Sequence, residues 1–217
     1  MLRLVAFDMD GTLVDVGSSW AAVHAHFGEK NPEGLRRFLA NEIDDAEFIR
    51  SDIEIWRRHA PELTVQELEG ILENVPLMPG AAELFDGLRG RGVRTAIVSG
   101  GIDLLARRVA RELRIDLALA NGFRVTGSGQ LTGDGIVRVP IHGKEHVLER
   151  LQAQLEVAPK ETAAVGNSEI DVGLFRRSRL GVAFLPEDDA VRRHADRIVA
   201  ERDLGRVLDA LNDFPAD

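Results

Sequence analysis

The sequence predicts an α/β fold, a Rossmann-like doubly wound parallel sheet with an inserted α-helical cap. Three observations carry that expectation. From about residue 80 onward, short apolar runs of strand length alternate with helix-patterned segments, the signature of a parallel sheet covered on both faces. The opening apolar run, Leu4-Val5-Ala6-Phe7, stops abruptly at two aspartates, Asp8 and Asp10. Between residues 15 and 79 the chain is polar and helix-patterned, with no convincing strand. The expected organisation is a core made of residues 1–14 and 80–217, a helical cap at 15–79, and a β-hairpin-like excursion at 122–140.

Taken in order, the first strand leaves the sheet at Gly11, which lets the backbone turn. Residues i and i+2 of a strand share a face, so Asp8 and Asp10 arrive near one point beyond the sheet edge, where ligands sit in open α/β sheets. Two carboxylates this close shift each other's pKa, and a cation or a shared proton is expected between them. The plainer alternative is a strand followed by an Asx-type turn. In the cap, Phe48, Ile49, Ile53, Ile55 and Trp56 recur at helical spacing, and Thr64-x-x-Glu67 reads as a capping box. Pro76-Leu77-Met78-Pro79-Gly80 punctuates the return to the core. A helix at 81–89, a strand at 93–98, a helix at 102–113 and a short strand near 117–120 follow. Gly127-Ser128-Gly129 and Gly133-Asp134-Gly135 mark the hairpin. Then come a helix at 144–155, a strand at 162–165, a helix through 172–177, a strand at 180–184, a closing helix–strand–helix and a short tail at 212–217.

Composition narrows the function. The 217 residues suit one large domain, or a core with a smaller insert. A net charge of −9 argues against a nucleic-acid surface. The chain has no cysteine, so any metal must use oxygen or imidazole ligands. None of the six histidines has a zinc-like spacing. No apolar run approaches the ~18 residues of a membrane span, and residues 2–7 are too short for a signal peptide. A cytoplasmic protein without membrane or nucleic-acid partners is expected, as monomer or homodimer.

Three later sites fall at strand ends. Ser99-Gly100-Gly101 closes the second core strand and is expected to open a helix, where a hydroxyl and free N–H groups suit an anion; alone it reads as a serine N-cap. Lys144 opens another helix, an unfavourable position for a cation unless something anionic holds it; alone it reads as a solvated lysine. Asn167 and Asp171 follow the strand at 162–165, where acidic residues also simply favour a helix start.

All four sites in this order, each after a strand, resemble the haloacid dehalogenase superfamily, in particular its phosphoserine phosphatase-like branch with a helical C1-type cap. The resemblance rests on Phe7-Asp8-Met9-Asp10-Gly11-Thr12-Leu13, Val98-Ser99-Gly100-Gly101, Leu119-Ala120-Asn121, Leu131-Thr132-Gly133, Gly143-Lys144, Val165-Gly166-Asn167-Ser168-x-x-Asp171 and Glu201-Arg202-Asp203-Leu204. It implies a phosphoric monoester hydrolase with Asp8 as nucleophile, forming an aspartyl-phosphate, and Asp10 as acid and base. It also implies Mg²⁺ held by Asp8, the Asp10 carbonyl and residue 167. Ser99, Gly100, Gly101 and Lys144 would bind the phosphoryl group, with Asp171 supporting the metal from behind.

This chain departs from that pattern in two places. Relatives usually have aspartate where Asn167 stands, so weaker Mg²⁺ binding is expected. Phosphoserine phosphatases also carry a glutamate for the substrate ammonium where this chain has Gly17, and a cap arginine for the carboxylate near Asp52. Losing both partners removes most discrimination in favour of serine phosphate. The expected substrate is therefore a small phosphorylated metabolite other than phosphoserine. Trp20, His24 and Arg50 are the candidate cap contacts, although Trp20, His24 and Phe27 also read as a cap-core stripe. Competing readings are a phosphoserine phosphatase with non-standard cap contacts, a phosphomutase, and a catalytically impaired binding protein.

Overall fold

Four consecutive apolar residues, Leu4–Phe7, form the central strand β1 of the computed structural model, which describes residues 1–215. None of the four reaches solvent, as expected for a parallel strand covered on both faces. On one side of β1 lies Arg94–Ile102 (β2), then Leu117–Val125 (β3) and Leu131–Ile136 (β4). On the other side lie Thr162–Gly166 (β5), Leu180–Phe184 (β6) and Arg197–Val199 (β7). Only β4 is antiparallel to its neighbour. The chain turns from one flank of β1 to the other, so the crevice at its carboxyl end is the topological switch point of the sheet.

The two-residue period of the strands sorts the core into two layers. Leu4 and Ala6, with Ala96, Val98 and Ala164, pack under helices Lys144–Leu155 (α7), Val172–Arg176 (α8) and Asp189–His194 (α9). Val5 and Phe7, with Ile97, Val165 and Val182, face Ala81–Gly90 (α5), Asp103–Leu113 (α6) and Gly205–Asn212 (α10). Each fully buried large side chain contributes about 1.5–3 kcal/mol, so these layers hold the strand ends in fixed register.

Between β1 and β2 the chain makes the cap from four helices, Ser19–His26 (α1), Pro32–Leu39 (α2), Asp45–His59 (α3) and Val65–Leu72 (α4). α3 buries Ile49, Asp52, Ile53 and Trp56, one face at helical spacing. α4 opens with the expected capping box: Glu67 N–H donates to Thr64 Oγ1 at 3.2 Å, and its carboxylate accepts from Thr64 N–H at 2.8 Å. The two neck segments run side by side, with Met78 N–H donating to the Leu13 carbonyl and Asp15 N–H to that of Pro76, both at 2.8 Å.

Two local expectations are corrected. β3 does not stop near residue 120, because Gly122 and Phe123 pair with Ile136 and Gly135 of β4; the hairpin is the edge of the main sheet. It also braces the cap, since α3 lies across it and a Cβ on Gly135 would come within 2.3 Å of Ile49. Second, β2 continues through Gly101 to Ile102 with a register shift after Val98, and α6 begins only at Asp103. Ser99-Gly100-Gly101 is therefore an irregular strand end and not a helix start. Of the expected tail, Phe214 packs against the core, while 216–217 lie outside the described residues. No helix among the described residues is long and apolar enough to cross a membrane.

Candidate active site

Asp8 follows the last residue of β1, and its N–H still donates to the Val165 carbonyl of β5 at 2.9 Å. The sheet therefore fixes its backbone while its side chain leaves the sheet. Lys144 Nζ lies 2.7 Å from Asp8 Oδ1 and 2.7 Å from Asp171 Oδ1. All three side chains are buried. The lysine sits at the first position of α7, just after Gly143, whose φ of 145° favours glycine. Its two carboxylates answer the helix-dipole penalty. Burial alone would lower the Lys144 pKa, but Asp171 and Asp8 outweigh it and raise it above the ordinary lysine value. Burial, and then the charge of Asp171, push Asp8 up to about 7 against the pull of Lys144.

Asp171 has both oxygens engaged. Oδ1 takes Lys144, and Oδ2 accepts from the N–H groups of Asn167 at 2.9 Å and Ser168 at 3.1 Å. It closes the turn after β5 and positions Lys144.

Asp10 is arranged differently. Its Oδ2 accepts from Ser19 N–H at 2.7 Å and from Ser19 Oγ at 2.8 Å. These donors stand at the first position of α1, where backbone N–H groups lack helical partners and favour negative charge. Asp10 Oδ1 is buried with no partner. Burial raises the Asp10 pKa, against the hydrogen bonds from Ser19. Two donors on Oδ2 leave Oδ1 as the oxygen free to take up a proton.

At the end of β2, the Gly100 carbonyl accepts from Trp20 Nε1 at 3.0 Å and Asn121 Nδ2 at 3.1 Å. The adjoining Gly101 N–H donates to Ser99 Oγ at 3.1 Å. With its lone pair so used, the Ser99 hydroxyl keeps its proton for another acceptor. Gly101 is needed for close approach: a Cβ there would lie 2.7 Å from Asp10 Oδ2 and 2.8 Å from Ser19 Oγ.

Asn167 is 4% exposed. Its Nδ2 donates to Glu187 Oε1 at 3.0 Å, and its Oδ1 has Thr12 Oγ1 at 3.4 Å. Together with Asp8, Asp10, Ser99 and Lys144 it lines one cavity of ≈ 570 Å³ between core and cap.

The cap candidates divide. Trp20 and His24 line that cavity, but their polar atoms are engaged. His24 Nε2 lies 2.8 Å from Asp52 Oδ1, and its Nδ1 accepts from Trp56 Nε1 at 3.1 Å. Trp20 stacks on Trp56 at 5.8 Å, and Phe27 on His59 at 5.7 Å, so the stripe is also cap core. Arg50 is not brought to the cavity. It falls off the buried face of α3, and its guanidinium pairs with Asp134 on the hairpin at 3.0 Å.

Residues 5–176 match the haloacid dehalogenase-like hydrolase family. The chain belongs to that family. A phosphoserine phosphatase of Methanocaldococcus jannaschii is 26% identical over 208 residues, covering 95% of this chain and 96% of its own. A phosphoserine phosphatase of Idiomarina loihiensis is 29% identical over 213 residues, covering 96% and 93%. Among solved structures, a substrate-bound phosphoserine phosphatase complex has a TM-score of 0.81 at 24% identity, over 97% of this chain and 98% of its own. That last likeness is one of fold.

The donor set of this hydrolase fits a divalent cation. Asp8 and Asp171 share one buried ammonium, while the nearby Asp10 carboxylate has no cationic partner among the described residues and its Oδ1 is orphaned. No group of three His, Cys, Asp or Glu side chains forms a metal cage among the described residues. Mg²⁺ does not require one, since it is commonly held by one or two carboxylates together with substrate phosphate. Two site residues escaped the sequence reading, Ser19 and Glu187. The only signal for Glu187 was a carboxylate soon after a strand end, following Leu185, whose φ is 42°.

Proposed function

We propose that this haloacid dehalogenase-like hydrolase is a Mg²⁺-dependent phosphomonoesterase that works through an aspartyl-phosphate on Asp8. We further propose that its substrate is a small phosphorylated metabolite other than phosphoserine. The contact of Lys144 with both Asp8 and Asp171 carries the reading. It holds one oxygen of a buried carboxylate and leaves the other to meet phosphorus.

In the first half-reaction the free oxygen of Asp8 attacks phosphorus, and the bond from phosphorus to the alcohol oxygen breaks. Asp10, protonated on Oδ1, gives that proton to the departing alkoxide. Ser99 O–H donates to a phosphoryl oxygen, and Lys144 balances charge on Asp8 and the phosphoryl group. In the second half-reaction Asp10 takes a proton from water. The water oxygen attacks phosphorus, and inorganic phosphate leaves Asp8 regenerated. Asp8, the Asp10 carbonyl and Asn167 would hold Mg²⁺, which when bound neutralises charge between carboxylate and phosphoryl oxygens. Asp171 keeps Lys144 and the 167–171 turn in position. The cap above the site limits the entry of water. The proposed setting is the cytoplasm, and the proposed assembly a monomer or homodimer.

The names of the relatives favour a second reading, a phosphoserine phosphatase with non-standard cap contacts. Against it stand Gly17, which offers no side chain, and Arg50, which is held by Asp134. Phosphate release from a panel of phosphorylated metabolites in the presence of Mg²⁺ tests both. A wide margin for phosphoserine would favour the second reading, and no release from any ester would overturn both.

A further inference from the structure

Several polar atoms on the cap side of the cavity are already paired. Asp52 Oδ1 accepts from Asn31 Nδ2 at 2.7 Å and pairs with His24 Nε2 at 2.8 Å. Asn31 Oδ1 accepts from Gly34 N–H at 2.9 Å, and Asp45 Oδ1 from Ile141 N–H at 2.8 Å. A substrate carboxylate or hydroxyl bound to these atoms would compete with bonds already made, and a polar group buried without a partner is costly. Lys30, also in the lining, is exposed, so its charge stays in water.

Apolar side chains line the cavity on both walls. Leu35 of α2 and Phe48 of α3 line the cap side, and Ile141 and Ile170 line the core side. Leu35 is 47% exposed and Ile170 37%, two of only six large apolar side chains exposed to this degree among the described residues. Exposed apolar groups gathered in one cleft mark a binding surface. Beside the first motif, Gly17 leaves open space, with nothing within 4 Å of an added Cβ. A cavity of ≈ 570 Å³ has room for an organic body beyond the phosphoryl group.

We propose that the cleft selects a phosphate monoester whose alcohol portion is apolar and uncharged, with the phosphoryl group at Asp8 and the chain or ring between Leu35 and Ile170. This rests on the phosphatase reading above and names the substrate class for it. The polar floor handles the chemistry, and the apolar walls supply the selectivity.

A homologous series tests it, because n-alkyl phosphates lengthen the apolar body while hardly changing the reactivity of the leaving group. Methyl, butyl, hexyl and octyl phosphate are compared with phosphoserine, O-phosphoethanolamine and glucose 6-phosphate, using the Mg²⁺-loaded enzyme and p-nitrophenyl phosphate as a reactivity reference. The expected result is that kcat/KM rises about threefold to fourfold per methylene until the cleft is filled, mainly through KM. Leu35→Ser, at an exposed position that does not threaten folding, should flatten that rise. A flat alkyl series, or a higher kcat/KM for phosphoserine or glucose 6-phosphate than for hexyl phosphate, would overturn the substrate class and leave the phosphatase standing. No phosphate from any ester, p-nitrophenyl phosphate included, would overturn the phosphatase reading and this one with it.

Discussion

Asn167 Nδ2 donates to Glu187 Oε1 at 3.0 Å, while the Glu187 N–H donates to the Asn167 carbonyl at 2.8 Å. A carboxylate only accepts hydrogen bonds, so Glu187 fixes which end of the amide faces it and leaves Oδ1 as the end for the proposed metal. It also brings a negative charge close to a position that lacks one. Asn167→Asp should therefore tighten Mg²⁺ binding about tenfold. Glu187→Gln, whose own amide no longer dictates the orientation of Asn167, should weaken it by about as much. Titration calorimetry of Mg²⁺ into metal-free protein reads both. Unchanged affinity in both variants would remove Asn167 from the metal site.

Lys144→Met leaves Asp8 and Asp171 facing each other in a buried site. Removing one partner of a buried ion pair typically costs about 3–5 kcal/mol. A loss near the lower figure is expected here, since Asp8 can take up a proton. Urea denaturation at neutral pH checks it, and a midpoint equal to the wild type would contradict the buried triad.

The Asp8 pKa is raised from 3.8 to about 7 by burial and by Asp171. The folded protein then binds this proton more tightly than the unfolded chain does. The group's contribution is present at low pH and is lost as pH rises from about 4 towards 7. In metal-free protein, Asp8→Asn should gain stability relative to the wild type across that window. Melting curves of both proteins at several pH values would show the difference growing with pH, and a difference independent of pH would count against the raised pKa.

Gly101→Ala puts a methyl 2.7 Å from Asp10 Oδ2 and 2.8 Å from Ser19 Oγ. Those atoms must move, and displacement of a catalytic group by about 1 Å costs on the order of 100-fold in rate. Steady-state kinetics should show kcat falling by about that factor while the far-UV spectrum is unchanged.

Asp52→Ala removes the acceptor shared by His24 and Asn31. Leaving the buried His24 donor unpaired should cost about 1–3 kcal/mol, seen as a lower melting temperature.

Much of this was legible in the sequence, for identifiable reasons. A central parallel strand must be apolar on both faces, so Leu4–Phe7 stands out, and its abrupt end locates Asp8. The helix at 144–155 and the strand at 180–184 are recovered to the residue, because Gly143 and Pro159 bracket the helix and the strand is a short apolar run closed by Pro186. What was hidden depends on distant partners. Two glycines after Ser99 look like a helix entry, yet contacts from Trp20 and Asn121 hold them in an irregular strand end. Arg50 lies close in sequence to the position of interest, but the face of α3 defined by Ile49, Asp52, Ile53 and Trp56 turns it toward Asp134. Glu187 meets Asn167 only because the sheet brings the ends of β5 and β6 together. The burial of Lys144 likewise needs two carboxylates from other segments, which local sequence does not reveal.

The central claim is that Asp8 carries the phosphoryl group. Its most direct test is to quench the Mg²⁺-loaded enzyme in acid during turnover of p-nitrophenyl phosphate and map the phosphoryl group by peptide mass spectrometry. The expected result is a phosphorylated peptide with the modification on Asp8, absent in Asp8→Asn, which should also release no phosphate. A phosphoryl group on another residue, or release by Asp8→Asn at the wild-type rate, would contradict it.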